Sequence, residues 1–184
     1  MADVRVRIVT DLVDDAQLGH ELSRCWLDVS NAGGAVGFPF LPVSIAEVNE
    51  ATQRLARDVA SGSVLVFVAE VERELVGWVS LRFNSSELTR HWASVARLQS
   101  RPDRRGLGIG RELMAALAAH AISLGLEQLQ LVLRGGENLE DFYARLGWRE
   151  IGRHPAALRL SDGDRDEVFM VLDLPKLSQT WRHR

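Results

Sequence analysis

Apolar and charged residues alternate with period two over Val4-Arg5-Val6-Arg7-Ile8-Val9, the pattern of a strand with one buried face. The period then lengthens. Leu18, Leu22, Cys25 and Trp26 recur at helical spacing behind Asp14 or Asp15, either of which can cap a helix running toward Val29 and stopped at Asn31-Ala-Gly-Gly. Gly33 to Val43 joins glycine, proline and two phenylalanines, a loop carrying apolar surface that serves as a substrate wall or a packing lid. Ser44 and Glu47 have capping-box spacing and open a second helix, with Ile45, Val48, Leu55 and Val59 on its apolar face, ending at Gly62. Ser63–Glu70 and Glu74–Phe83 read as an antiparallel hairpin, and Trp92–Gln99 as a fourth strand. Past a glycine-spaced run, Leu113, Met114, Leu117, Ala118, Ala121 and Leu124 mark a helix ended by Gly125, and Glu127–Leu133 is the next strand. A short helix from Asn138 to Leu146 and two strands, near Trp148–Arg153 and Glu167–Leu174, flanking a turn-rich stretch with Ser161-Asp-Gly-Asp, complete a mixed α/β chain.

With 184 residues, 46% of them apolar and 26% charged, the chain suits one domain, residues 1–174, with 175–184 expected as a flexible tail. The apolar stretches fall short of the roughly 18 to 20 residues of a bilayer span, and the N-terminus lacks a secretory pattern, so a cytoplasmic protein with no membrane partner is expected. The single cysteine, Cys25, reads as a small buried residue, and the five histidines lack metal-ligand spacing, so no metal is expected. A net charge of −3 argues against a nucleic-acid partner, and the absence of G-x-S-x-G argues against a triad hydrolase. All but one of the 22 basic residues are arginine, Lys176 being the exception.

Arg105-Gly-Leu-Gly-Ile-Gly110 lies between a strand and a helix, so backbone N–H groups and the positive end of the helix dipole converge on one spot and favour an anion there. Arg101, Arg104, Arg105 and Arg111 surround it and can add charge-assisted contacts. The string lacks the spacing of a nucleotide triphosphatase loop, and as G-x-G-x-G it departs from the dinucleotide fingerprint. Taken alone, such glycines also serve simply to build a tight turn.

Arg97 to Met114, with Arg105, Gly108 and Gly110 at key positions, resembles the acyl-CoA-binding core of the GNAT N-acetyltransferase superfamily. Asn138 with Phe142-Tyr143-Ala-Arg-Leu-Gly-Trp148 is similar to that superfamily's second element. More narrowly, Gly33–Phe38, His91–Arg97 and Gly152-Arg-His-Pro resemble tabtoxin-resistance-type acetyltransferases, although Ala93-Ser94-Val95 stands where that subgroup carries Ala-Asp-Val. The resemblance implies a central, mostly antiparallel twisted sheet of about seven strands flanked by about four helices. It further implies acetyl transfer from acetyl-CoA to a primary amine by direct attack, with backbone N–H groups near Leu98, Gln99 and Ser100 and the loop Arg105, Gly106, Leu107, Gly108, Ile109, Gly110 and Arg111 holding the co-substrate. Tyr143 takes the place of the general acid, unless it is only a core tyrosine beside Leu139 and Leu146. Asn138 either touches the pantetheine or only caps its helix. No carboxylate stands beside Arg97 on the fourth strand, which leaves His91 and Glu87 as base candidates against their ordinary reading as surface residues. The apolar, aromatic Phe38–Phe40 loop points to a small amino-acid-like, toxin or antibiotic acceptor, and lookalikes often form homodimers through C-terminal strands. Two other readings stand beside this one: a CoA-binding sensor without turnover, and a protein N-acetyltransferase.

Overall fold

The computed structural model describes residues 4–34, 36–38, 40–136, 139–160 and 163–175. Strand β1 (Arg5–Val9) leads to helices α1 (Ala16–Asn31) and α2 (Ile45–Ala60), then to strands β2 (Val64–Val71), β3 (Glu74–Phe83) and β4 (Trp92–Ser100). Helix α3 (Ile109–Ser123), strand β5 (Gln128–Arg134), the short helix α4 (Leu139–Arg145) and strands β6 (Arg149–Leu160) and β7 (Gly163–Asp173) follow. Asp15 caps α1 by accepting from the Leu18 N–H at 2.9 Å, and Ser44 and Glu47 close the expected capping box on α2. Each such cap is worth about 1 kcal/mol of helix stability.

The seven strands form one sheet in the order β1-β2-β3-β4-β5-β7-β6, antiparallel at every junction except β4–β5. Period-two alternation sends Phe67, Val79, Leu81, Leu129 and Leu131 to one face, where α3 lays Leu113 and Leu117, both fully buried. The opposite face takes Val66, Val68 and Trp78, under α1 and α2 with Leu22, Trp26, Val48 and Leu55. Cys25 is buried there, as expected. Among the described residues no helix is long and apolar enough to cross a membrane.

The C-terminal strands are longer than the sequence predicts. The segment read as a turn-rich stretch between residues 153 and 167 is instead mostly β6 and β7, which pair from Arg149↔Val171 to Leu160↔Gly163. β6 is an edge strand and none of it is fully buried, so no buried face imposes an apolar alternation. A register shift between His154 and Leu158 accommodates Pro155, as an edge strand can. The expected flexible tail beyond Pro175 lies outside the described residues.

Candidate active site

The parallel pairing of β4 with β5 lasts only four residues, Trp92–Val95 against Gln128–Leu131. Beyond it, Arg97 and Leu98 together oppose Val79, because Trp78 pairs with Gln99 while Ser80 pairs with Ala96. Arg97 adopts a left-handed φ of 57°, uncommon for a side-chain-bearing residue. A bulge of this kind bends its strand and deepens the twist, so β4 swings away from β5. A cleft of about 1160 Å³ fills the divergence and reaches both faces of the sheet.

On the α3 face the glycine run makes a tight turn into the helix. Gly106 and Gly108 take φ of 81° and 79°, and Gly108 is the N-cap of α3 with no side chain capping it. The first intrahelical bond, Glu112 N–H to Gly108 O at 3.1 Å, leaves the N–H groups of Ile109, Gly110 and Arg111 without helical partners at the positive end of a 15-residue helix. A Cβ on Gly110 would lie 3.3 Å from the Phe142 ring, so glycine lets α4 come close to this helix start. Arg105 lines the cleft with no ion pair among the described residues. The other arginines of the expected cluster are engaged: Arg104 with Glu74 at 3.0 Å, Arg101 with Glu74 and with Asp103 at 3.2 Å, and Arg111 with Glu112 at 3.1 Å.

The strand itself contributes donors. Arg101 N–H donates to Val76 O on β3 at 2.8 Å, so alternation turns the Ser100 N–H away from β3 and toward the opening. Tyr143 is buried on the cleft wall, edge-on to Phe142 at 5.1 Å and to Trp148 at 5.9 Å. Burial raises its phenol pKa above the ordinary value, so the group stays protonated and able to donate near neutral pH.

The α1 face closes the other end. Trp26 meets the Phe38 ring at a tilt (5.3 Å) and Trp78 edge-on (5.2 Å) and donates Nε1–H to Val36 O at 2.8 Å, which fastens Val36 and Phe38 beside the cleft. Phe38 lines the cleft as the loop's expected role as a wall requires, whereas Phe40 is 68% exposed and stays outside it. Arg97 spreads its guanidinium over Trp26, 5.0 Å from the ring centroid. Glu167 of β7 and Ala157–Leu160 of β6 complete the wall.

Leu98, Gln99, Ser100, Arg105, Gly106, Gly108, Ile109, Gly110, Arg111 and Tyr143 therefore converge on one cleft. Leu107 points partly to solvent, 47% exposed, and is not on the wall. Asn138 lies outside the described residues. His91 is not brought to the cleft: it is exposed at the opposite end of β4, where its carbonyl accepts from Glu127 N–H at 2.8 Å. Glu87 is likewise exposed and paired with Arg90 at 2.7 Å. Four charged groups on the wall, Arg97, Arg134, Arg159 and Glu167, are not among the site residues the sequence suggests. Glu167 is legible there only as the first residue of an expected strand, and Arg97 only as the start of the string that resembles the acyl-CoA-binding core and as a position lacking a carboxylate neighbour.

The split sheet, the uncapped glycine-wrapped helix start and the buried tyrosine thus share one cleft. The family model described as an acetyltransferase (GNAT) domain matches residues 41–157, and the chain belongs to that family. Its fold is shared by a ribosomal-protein-alanine N-acetyltransferase from Brucella melitensis, with TM-score 0.74, 22% identity, and coverage of 92% of this chain and 99% of that one. An acetyltransferase-like protein from Acinetobacter baylyi aligns with TM-score 0.77 and 18% identity, covering 96% of each chain. A structure assigned as a phosphinothricin N-acetyltransferase gives TM-score 0.76 and 18% identity over 95% of this chain and 100% of that one.

Proposed function

We propose that the protein moves an acetyl group from acetyl-CoA to the primary amine of a small, amino-acid-like molecule by direct attack. The observation that carries this reading is the single cleft shared by the α3 N-terminus, the splayed end of β4, Tyr143 and an acceptor wall on the opposite face. The residues fit the co-substrate: bare N–H groups of Ile109 and Gly110 and the Arg105 guanidinium suit a pyrophosphate, and the Ser100 N–H suits a carbonyl of the pantetheine arm or thioester. When bound, acetyl-CoA supplies the activated acyl group. The chain's own residues then orient the carbonyl and stabilise its developing negative charge through backbone donors; the neutral amine forms the N–C bond as the C–S bond breaks, Tyr143 protonates the departing sulfur, and the proton lost by the amine nitrogen passes to solvent and returns to the tyrosinate.

Calorimetric titration with acetyl-CoA, repeated with Arg105→Glu, tests this. Micromolar binding that the variant loses, with thiol release when amines are added, is the expected result; no binding by the wild type overturns the reading. Binding without thiol release across amines and peptides would leave a CoA-responsive module instead of an enzyme. The expectation of a protein N-acetyltransferase is met if only peptide N-termini are acetylated.

A further inference from the structure

Of the six arginines on the cleft wall, Arg134 on β5 has a partner of its own, and the other five divide into two groups. Arg104, Arg111 and Arg159 are neutralised by Glu74, Glu112 and Asp164, at 3.0, 3.1 and 3.1 Å. Arg105 and Arg97 make no ion pair among the described residues. Arg105 stands at the helix start, where co-substrate phosphates account for it. Arg97 stands on the other face of the sheet, across Trp26, where they do not. The nearest acidic influence on Arg97 is Asp58, which is already held by Arg82 at 2.6 Å. Arg97 is partly desolvated, which lowers its pKa from the ordinary guanidinium value without discharging it. A strained left-handed backbone conformation and a bulge hold it there, costs that persist where a site over-determines them.

The opposite charge stands across the opening. Val168 is buried in the α3-side core, so alternation along β7 turns Glu167 to the α1 face, the face of Trp26, Phe38 and Arg97. Glu167 is the one carboxylate lining the cleft among the described residues; Arg134 of β5 stands directly opposite it in register on the same face, and no ion pair joins Glu167 to a described residue. Gln99 adds an acceptor on that face: it pairs with Trp78, shares its side, and leaves Oε1 buried without a partner. Arg97 and Glu167 stand on strands separated by β5, roughly 10 Å or more apart at the backbone, and both side chains reach inward.

We propose that the acceptor is a small zwitterion, its anionic group bound by Arg97 and its ammonium by Glu167. The proposal rests on the acetyl-transfer reading and narrows its substrate class. A guanidinium paired with carboxylate in a partly desolvated site discriminates strongly, and a neutral amide in the carboxylate's place leaves the guanidinium without its partner.

The test measures thiol release by the full chain with acetyl-CoA and the common α-amino acids, β-alanine and γ-aminobutyrate. Their carboxamides, their decarboxylated amines and a short peptide are run in parallel. The expected result is a preference of about tenfold or more in kcat/KM for a zwitterion over its own carboxamide. Arg97→Gln collapses that preference while the acetyl-CoA Kd is unchanged, and Glu167→Gln, on a separate strand, raises KM for every amine. Equal use of zwitterion, carboxamide and peptide overturns the proposal and leaves acetyl transfer standing. A protein that binds acetyl-CoA and acetylates no zwitterion also overturns it. Failure to bind acetyl-CoA removes the underlying reading as well, so the two failures are told apart by the calorimetric step.

Discussion

Gly77 sits on β3 opposite Ser100, where the strand must pass close to both the end of β4 and the start of α3. A Cβ built there lies 2.6 Å from Gln99 O, 2.9 Å from Ile109 Cγ2 and 3.2 Å from Ser100 Cα. The first distance falls about 0.8 Å short of ordinary contact at 3.4 Å, and the obstacle is backbone, which cannot rotate aside. Overpacking of this kind costs about 1–3 kcal/mol. Alanine recovers about 0.5–1 kcal/mol through a less flexible unfolded chain. Gly77→Ala is therefore expected to destabilise by about 1–2 kcal/mol, a fall in Tm of roughly 2–8 °C for a chain of this size. Gln99, Ser100 and Ile109 all line the cleft, so acetyl-CoA affinity falls with it. The same substitution at Gly19, inside α1, meets only Leu12 O at 3.9 Å and is expected to stabilise by about 0.5–1 kcal/mol. Thermal melts by circular dichroism and calorimetric titration read both effects. A Gly77→Ala protein that melts with the wild type and binds equally well would refute the close approach of β3 to the β4 end.

Tyr143→Phe is expected to lower kcat by about tenfold or more while acetyl-CoA affinity stays nearly intact, measured by thiol release and calorimetry. Because burial raises the phenol pKa, the folded chain keeps that proton while an unfolded tyrosine loses it above about pH 10. Stability from this group is thus present below pH 10 and declines above it, and urea melts of Tyr143→Phe at alkaline pH should show a shallower decline. His91→Ala is expected to leave the pH–rate profile unchanged, since the side chain is exposed at the far end of β4; a displaced profile would place a proton path through it. Burial pushes the Cys25 thiol up to about 12, so it should resist a thiol-specific reagent at pH 8 in the native protein and react fully in guanidinium chloride.

Elements whose apolar faces are buried on one side were legible. The capping box at Ser44, the stripe of α1 and the Gly125 stop after α3 each follow from local chemistry that tertiary contacts reinforce. The glycine turn into α3 was legible because glycine spacing and a helix start are both local. The two last strands were legible but their extension between residues 153 and 167 was not, because an exposed edge strand has no buried face to print a period on its residues. Glu167 was missed for a related reason: it reaches the cleft through a strand order, β5-β7-β6, that no local pattern announces. His91 drew notice for its chemistry, and chemistry alone says nothing about which end of a strand a residue occupies.

The bulge in β4 also inverts side-chain parity along that strand. Ala93 and Val95 point into the α3-side core, and uninterrupted alternation would send Gln99 there as well, burying an amide among leucines. With one extra residue inserted opposite Val79, Leu98 joins the α3-side cluster instead, and Gln99 turns to the side of Trp78. The same insertion turns Arg97 toward Trp26 and ends the pairing with β5. A left-handed residue of this type costs of order 1–3 kcal/mol. Removing the bulge would relieve that strain, but it would also carry the ladder on to β5 and close the cleft between the two faces. Along β4 the strain therefore sits at the position where it simultaneously opens the sheet, places an apolar side chain on the α3 side and delivers polar groups to the α1 side.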